Sequence, residues 1–170
     1  AVLSGDILWA GESILHKKPY ERSRLGIHWI PQAAPAFEGV GLLSMARSAM
    51  DARGAKSDVF ALRSELTGAL KRVGLSDDFL LRALHGDSSG GEKKKVELAL
   101  VAVLKPKLLI VDEVDAGLDA AGIAAAAGLI MELSKNAAVL VISHSESFLS
   151  RLDIRRVYRM ESGKLIHGAI

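Results

Sequence analysis

Two short stretches of the chain carry residue types suited to handling a nucleoside triphosphate and its metal ion. The first, Ser88-Ser89-Gly90-Gly91-Glu92, places two glycines at the start of a predicted helix. Backbone N–H groups without Cβ atoms around them can approach a phosphate closely there. The second is the apolar predicted strand 108–111, which ends in the adjacent carboxylates Asp112 and Glu113. Oxygen ligands of this kind suit magnesium, so the two stretches indicate parts of a phosphate-handling site.

Each stretch also has a purely structural explanation. Ser89 and Glu92 have the spacing of a capping box, in which two side chains satisfy N–H groups at a helix start. Asp112 and Glu113 could simply form an acidic strand end that caps the following turn. The capping box is compatible with phosphate binding, because a capped helix still presents other free N–H groups.

Polar residues at the ends of other predicted elements favour the functional explanation. Gln32 follows the predicted strand 26–30, and His144 follows the predicted strand 138–142. A further acid, Asp119, precedes the predicted helix that lies between the strands 108–111 and 138–142. Ligands of open α/β sheets gather at the carboxyl ends of strands, so chance is a poor explanation for this distribution.

These residues could divide the chemistry among them. Glu113 could orient and polarise an attacking water, and His144 could hydrogen-bond a terminal phosphate. Asp112 could hold metal-bound waters, and Gln32 could contact the metal or the water. Taken singly, a loop histidine or glutamine is more often structural or exposed. The run Lys93-Lys94-Lys95 is predicted to be the solvated face of the first helical turn.

One expected part of such a site is absent. No G-x-x-x-x-G-K-S/T phosphate-binding loop occurs between residues 1 and 170. In sites of this kind, the loop backbone cradles the phosphates and the lysine reaches them. The residues above therefore represent half of an ATP site.

The composition limits the classes of protein to which this chain can belong. A length of 170 residues suits a single domain, and 49% hydrophobic with 25% charged residues is ordinary for a globular protein. The net charge of +2, with scattered basic residues, gives no reason to expect a nucleic-acid partner. The absence of cysteine excludes disulfides and cysteine ligands to a metal or an iron–sulfur cluster from this chain.

The sequence shows no membrane span and no export signal. The longest nearly apolar run, 120–131, is far shorter than the roughly 20 residues that span a bilayer, and it is interpreted as a buried helix. Residues 1–6 lack the basic and long apolar regions of a secretion signal. We therefore expect a cytoplasmic protein, associated with a membrane only through a partner.

The periodicity of apolar residues predicts an α/β protein. Hairpins are expected at both ends of the chain, and strands at 26–30, 108–111 and 138–142, the last two buried on both faces. Three consecutive helices are expected after the first of these strands. Their inward stripes are Leu42, Met45, Ala46 and Ala49; Leu62, Leu66, Ala69, Leu70 and Val73; and Phe79, Leu80 and Leu84 behind a Ser76 cap.

In this order, the motifs resemble the nucleotide-binding domain of the ABC ATPases over nearly the whole chain. The stretch 88–92 resembles the family's signature motif, with Ser88 where leucine is common. The other matches are Walker B (108–112), the catalytic glutamate (Glu113), the D-loop (116–119), the switch histidine (His144) and the Q-loop glutamine (Gln32). The resemblance implies a P-loop NTPase-like (RecA-like) core, residues 1–35 and 89–170, with an inserted helical subdomain, residues 36–88.

Within the family, two details resemble the SufC-type ATPases of iron–sulfur cluster assembly. Ordinary transporter domains usually have proline and a small hydroxyl residue after the catalytic glutamate, whereas this chain has Val114-Asp115-Ala116-Gly117. The signature motif of this chain contains Gly-Gly-Glu-Lys-Lys, where Gly-Gly-Gln is commoner in the family. The segment Ala36-Phe37-Glu38-Gly39-Val40 is compatible with that subgroup.

The resemblance implies ATP and Mg²⁺ as ligands. It assigns catalysis to Glu113 and His144, metal contacts to Asp112 and Gln32, and nucleotide contacts to Gln32, Ser89, Gly90, Gly91, Glu92 and Asp119. The signature side of one protomer closes over ATP held by Walker A of a second, in a head-to-tail dimer. Because Walker A and its strand and helix would precede residue 1, we expect this chain alone to bind ATP poorly and to be inactive, unlike its intact parent.

Two other functions are compatible with these residues. One is the ATP-binding subunit of an ABC membrane transporter, whose partner is a permease instead of a soluble Suf-type scaffold. The other is a non-catalytic interaction module that naturally lacks Walker A.

Overall fold

This computed structural model describes residues 4–33, 39–55, 58–82 and 88–168. The predicted helix residue Leu84 and the segment Ala36-Phe37-Glu38 lie outside these ranges. In chain order the elements are β1 (Leu8–Trp9), β2 (Glu12–Ser13), α1 (Pro19–Arg24), β3 (Ile27–Ile30), α2 (Leu42–Ala52), α3 (Val59–Arg72), a 3-10 helix (Asp77–Leu80), α4 (Gly90–Leu104), β4 (Leu108–Asp112), α5 (Ala120–Leu133), β5 (Ala138–Ile142), α6 (Glu146–Leu149), β6 (Val157–Glu161) and β7 (Lys164–Gly168). The predicted α/β class is confirmed.

Three of the strands form a parallel sheet in the order β3-β4-β5. Ile30 lies opposite Val111, and Val111 lies opposite Val141, so the strands run side by side to nearly the same level. Parallel neighbours need long crossover connections, and here these contain α2 to α5. The residues that follow the three strands are consequently brought to one edge of the sheet.

One face of this sheet is closed by helices. Ile30, Leu109 and Val111 point to that face, and each is at most 1% exposed. The covering layer is centred on α4, which is buried at every position from 96 to 104. The apolar spacing of Val96, Leu100, Val103 and Leu104 by itself predicts one inward face for α4. The structure surrounds the helix because α2, α3, α5 and β3 all pack against it.

The opposite face of the sheet is open in the part of the chain that the structure describes. Trp29, Leu140 and Ile142 point to that side and are 58%, 49% and 49% exposed. The prediction that both later strands are buried on two faces is therefore wrong, most clearly for β5. All-parallel sheets normally carry helices on both faces, so this apolar surface is one that a further layer would cover.

Between β3 and α4 the chain forms a helical layer. The predicted stripe of α3 is confirmed, since Leu62, Leu66 and Leu70 are all at most 2% exposed. The predicted third helix is shorter than expected: after Ser76 the chain makes only the 3-10 helix Asp77–Leu80, which buries its last two side chains. This single turn closes the end of the layer against α2 and α3.

The two terminal hairpins, β1–β2 and β6–β7, each form a separate two-stranded sheet. Tyr158, Met160 and Leu165 of the second hairpin are largely exposed. Among the residues described, every helix is too short or too polar to serve as a membrane span.

A half-buried histidine makes the stability of the fold dependent on pH. His28 points to the covered face of β3, where burial lowers its pKa below the usual range; the charge of Glu97 opposes this shift and that of Arg53 adds to it. The unfolded chain regains the ordinary pKa and binds a proton that the folded protein excludes. The free energy of unfolding should therefore fall as the pH drops through about 6.5.

We expect His28→Gln to reduce the loss of stability that the intact protein shows between about pH 7.5 and about pH 5.5, because the titrating group is gone. Urea unfolding at the two pH values measures this loss. His16→Gln, at an exposed position, should leave the loss unchanged. An equal loss in the native protein and in His28→Gln would contradict the assignment.

Candidate functional site

The structure brings together three predicted site residues that are far apart in the sequence. The Nε2 atom of Gln32 donates to Oε2 of Glu113 at 2.5 Å. The Nδ1 atom of His144 lies 3.3 Å from Oε1 of the same carboxylate. Each residue follows a different strand of the parallel sheet, so the strand pairing alone explains their convergence. Both oxygens of Glu113 thus have a nitrogen partner from a neighbouring loop.

Glu113 starts a tight turn with an unusual backbone. Its φ of +47° lies in the left-handed region, which non-glycine residues seldom occupy. Its N–H group donates to the carbonyl of Ile142 at 2.8 Å. On the other side, Nζ of Lys94 donates to the carbonyl oxygens of Glu113 and Ala116, at 2.5 and 2.9 Å. These contacts hold the Glu113 backbone at the sheet edge.

The contacts of Lys94 correct the sequence-based interpretation of the lysine run. Lys94 is half-buried and reaches across to the turn, and Lys95 points towards Asp119 at 3.8 Å. Burial lowers the pKa of Lys94, while the negative charges of Asp115, Glu113 and Asp112 raise it. The prediction of a solvated lysine face is wrong because α4 packs its first turn against the turn after β4.

Asp112 provides the oxygen chemistry that the implied magnesium ion requires. It ends β4 opposite Ile142 and remains half-buried beside Glu113. Within the described ranges, no group of three acidic or histidine side chains could hold a metal by itself. Magnesium in nucleotide sites takes most of its ligands from phosphates and water and only one or two from the protein. One carboxylate with the nearby Gln32 amide oxygen fits that pattern.

The start of α4 has the predicted capping box. The N–H of Glu92 donates to Oγ of Ser89 at 3.3 Å, and the N–H of Ser89 donates to Oε2 of Glu92 at 2.8 Å. The hydrogen bonds from Ser89 hold the pKa of Glu92 below its usual range. A Cβ atom on Gly90 would meet nothing within 4 Å. The helix start is therefore capped on one side and open on another.

Gly91 and Asp119 connect this helix start to the predicted D-loop. A Cβ atom on Gly91 would lie 3.0 Å from the carbonyl oxygen of Gly117, so the backbones approach closely there. Asp119 caps α5 by accepting from the N–H of Gly122 at 2.8 Å. Signature helix and D-loop thus form one packed unit, about which the sequence spacing gave no information.

Sequence reasoning missed three residues of the site. Besides Lys94, these are Asp115, which is only 7% exposed, and Ser143, whose hydroxyl donates to Asp115 at 2.9 Å. Their one signal in the sequence was position, since Asp115 and Ser143 lie within two residues of Glu113 and His144. Nothing in their residue types distinguished them from ordinary loop residues.

Known proteins resemble this chain over nearly its whole length. A family model described as ABC transporter matches residues 2–116. A sequence named as the ATP-dependent transporter ycf16 of Trieres chinensis is 33% identical over 171 residues, which cover 97% of this chain and 68% of that protein. The ABC transporter I family member 6, chloroplastic, of Arabidopsis thaliana is 32% identical over 172 residues, covering 97% of this chain and 51% of that protein.

Solved structures show the same fold. The ATP-binding cassette MJ0796, solved as a dimer in a post-hydrolysis state with ADP and Pi, superposes with a TM-score of 0.81 at 15% identity, over 96% of this chain and 72% of that one. An ATP binding subunit of an ABC transporter superposes with a TM-score of 0.65 at 27% identity, over 75% of this chain and 52% of that one. The fold described above is therefore shared with these two proteins.

The two signature glycines offer a matched pair of variants. Gly91→Ala should lower the free energy of unfolding of the intact protein by about 1–3 kcal/mol, because the new methyl group presses on the Gly117 carbonyl and forces the backbones apart. Gly90→Ala has open space and should be neutral. Urea unfolding of both variants measures the difference, and equal stability would show that the close approach is unimportant.

Proposed function

The chain belongs to the ABC transporter family, and from this premise we propose that it supplies the hydrolytic half of the ATP site in an ABC-type ATPase. The observation that carries the proposal is the Glu113 carboxylate, bracketed by the Gln32 amide and the His144 imidazole. A carboxylate at a strand end, with two nitrogen donors beside it, is suited to orienting a water and contacting a terminal phosphate.

The three side chains would act in distinct ways. Glu113 would accept a proton from the attacking water and orient it. His144, which is 80% exposed, would donate to the terminal phosphate, and Gln32 would contact that phosphate or its metal. Asp112 would hold Mg²⁺ through its waters, and the ion, when bound, would neutralise charge on the phosphates. Entry of a nucleotide has to replace the hydrogen bonds that these residues make with one another.

The signature side would serve the nucleotide of a second protomer. Ser89, Gly90 and Gly91 form the start of α4, a helix of 15 residues whose N–H groups and dipole attract anions. Glu92 keeps this start well ordered, and Asp119 holds the adjoining loop. A head-to-tail dimer would bring this surface over ATP bound by the partner.

The open face of the sheet supports the proposal that the intact protein is longer than this chain and supplies the phosphate loop. The crossover from β4 to β5 places α5 on the covered face, and crossovers in parallel sheets are right-handed. A helix on the face of Trp29 and Leu140 therefore requires a crossover in the reverse direction, from a strand beyond β5 back towards β3. A strand and helix of this kind would carry a phosphate loop to the edge where Asp112 and Glu113 lie.

Within the family, we assign the chain to the SufC-type ATPases. The two stretches in which it departs from ordinary transporter sequences contact each other. Lys94 belongs to the stretch Gly-Gly-Glu-Lys-Lys, and it donates to the backbone of the Glu113–Ala116 turn, which has the sequence Glu-Val-Asp-Ala. The lysine side chain of one departure thus contacts the backbone of the other. The proposed role is ATP-driven conformational work on soluble scaffold proteins of iron–sulfur cluster assembly, in the cytoplasm.

Partner identity distinguishes this role from transport. Purification of the intact protein with its native partners should recover soluble proteins, whereas an integral membrane permease would support the transporter alternative. For a permease-coupled subunit, the protein would be associated with the membrane through that partner.

The catalytic role of Glu113 has a direct test in the intact protein. Glu113→Gln should lower ATP turnover by about 10²–10⁴-fold, because the amide cannot accept the proton of the water. The Gln side chain keeps its size and can still bind nucleotide, so dimers formed with ATP should persist in size-exclusion chromatography. Steady-state phosphate release gives the rate.

Glu12→Gln is the matched control, since Glu12 lies exposed in the first hairpin. It should leave turnover unchanged. If Glu113→Gln also leaves turnover and dimers unchanged, the ATPase role is wrong and the non-catalytic interaction module becomes the better account.

A further inference from the structure

We propose that Asp115 and Ser143 are a pair of positioning residues that couple the turn carrying Glu113 to the loop carrying His144. This inference rests on the ATPase function proposed above. Neither residue contacts the reacting atoms in the proposed role; each acts through its neighbour. The pair joins the two segments at a point behind the candidate site.

Asp115 is buried, so its carboxylate depends on the hydrogen bond from Ser143. Asp115 and Glu97 are the two charged residues that are buried among those the structure describes. A buried carboxylate is costly unless hydrogen bonds and opposite charge compensate it. For Asp115 these are the Ser143 hydroxyl, at 2.9 Å, and the nearby ammonium group of Lys94. Removal of the hydroxyl therefore leaves one carboxylate oxygen without its partner.

The carboxylate also fixes the direction of the Ser143 hydroxyl. A serine has one O–H proton, and here it points to Oδ1 of Asp115. The lone pairs of Oγ then face the N–H of Ser145, which donates to it at 3.0 Å. Ser145 in turn caps α6 by accepting from the N–H of Phe148. The residues on both sides of His144 are thus tied to Asp115.

His144 depends on these ties because little else holds it. Its side chain is 80% exposed, and its contact with Oε1 of Glu113 is 3.3 Å long. Its direction is therefore set mainly by the backbone of the loop 143–145. Lys94 holds the Glu113 turn from the opposite side. Together the contacts make the turn and the loop one unit.

The test compares Ser143→Ala and Ser143→Thr in the intact protein. Ser143→Ala should lower kcat about tenfold and change the KM for ATP less than twofold, because one hydrogen bond is lost behind His144. Ser143→Thr keeps the hydroxyl and should restore kcat to within about twofold. Ser150→Ala makes the same chemical change at an exposed position and should behave like the native protein.

Two further readouts separate positioning from a general loss of structure. In a His144→Ala background, Ser143→Ala should have no further effect on kcat, since its influence passes through the missing imidazole. In the native background without nucleotide, it should shift the NMR resonances of the His144 ring, while Ser143→Thr should not.

An equal loss of kcat in both backgrounds, or unchanged kcat with an unshifted His144 ring, would overturn the coupling. Failure of the proposed function gives a different pattern. If the intact protein does not hydrolyse ATP but the His144 resonances still respond to Ser143→Ala and not to Ser143→Thr, the positioning pair stands and the ATPase role falls.

Discussion

The parallel pairing of β3, β4 and β5 is the constraint on which the site depends. Residues 32, 113 and 144 lie far apart in the sequence, with the first two 81 positions apart, so no local interaction brings them together. The register of the sheet does so, because it ends three strands along one edge. The helices between the strands form the long connections that parallel pairing requires. Among them, α4 lies at the centre of the hydrophobic core.

A second constraint is local to Glu113. Its left-handed backbone costs about 1–3 kcal/mol and persists only where the surroundings determine it. Lys94 and the Ile142 carbonyl do so here from two sides. The Glu113 carboxylate accepts a hydrogen bond from Gln32 and lies beside the His144 imidazole. These three side chains therefore contact one another, and in the proposed function a bound phosphate would replace those contacts.

The sequence predicted those parts of the protein that depend on short-range pattern. Apolar periodicity identified the α3 stripe, and strand ends followed by Gln32, Glu113 and His144 identified the edge of the sheet. The failures concern long-range packing. The roles of Lys94 and of Asp115 with Ser143 exist only because α4 and β5 lie beside the turn after β4. The open sheet face contradicts only the burial predicted for the strands on both faces, because apolar strands predict burial without saying which residues provide it.

A crystal structure of the intact protein with Mg²⁺ and a non-hydrolysable ATP analogue would test the proposed ATP site. The terminal phosphate should lie at the edge formed by β3, β4 and β5, with His144 and Gln32 within hydrogen-bond distance and a water between Glu113 and that phosphate. The signature helix start of the partner protomer should lie over the same nucleotide. A nucleotide bound elsewhere, or one bound here without contact to these side chains, would contradict the proposal.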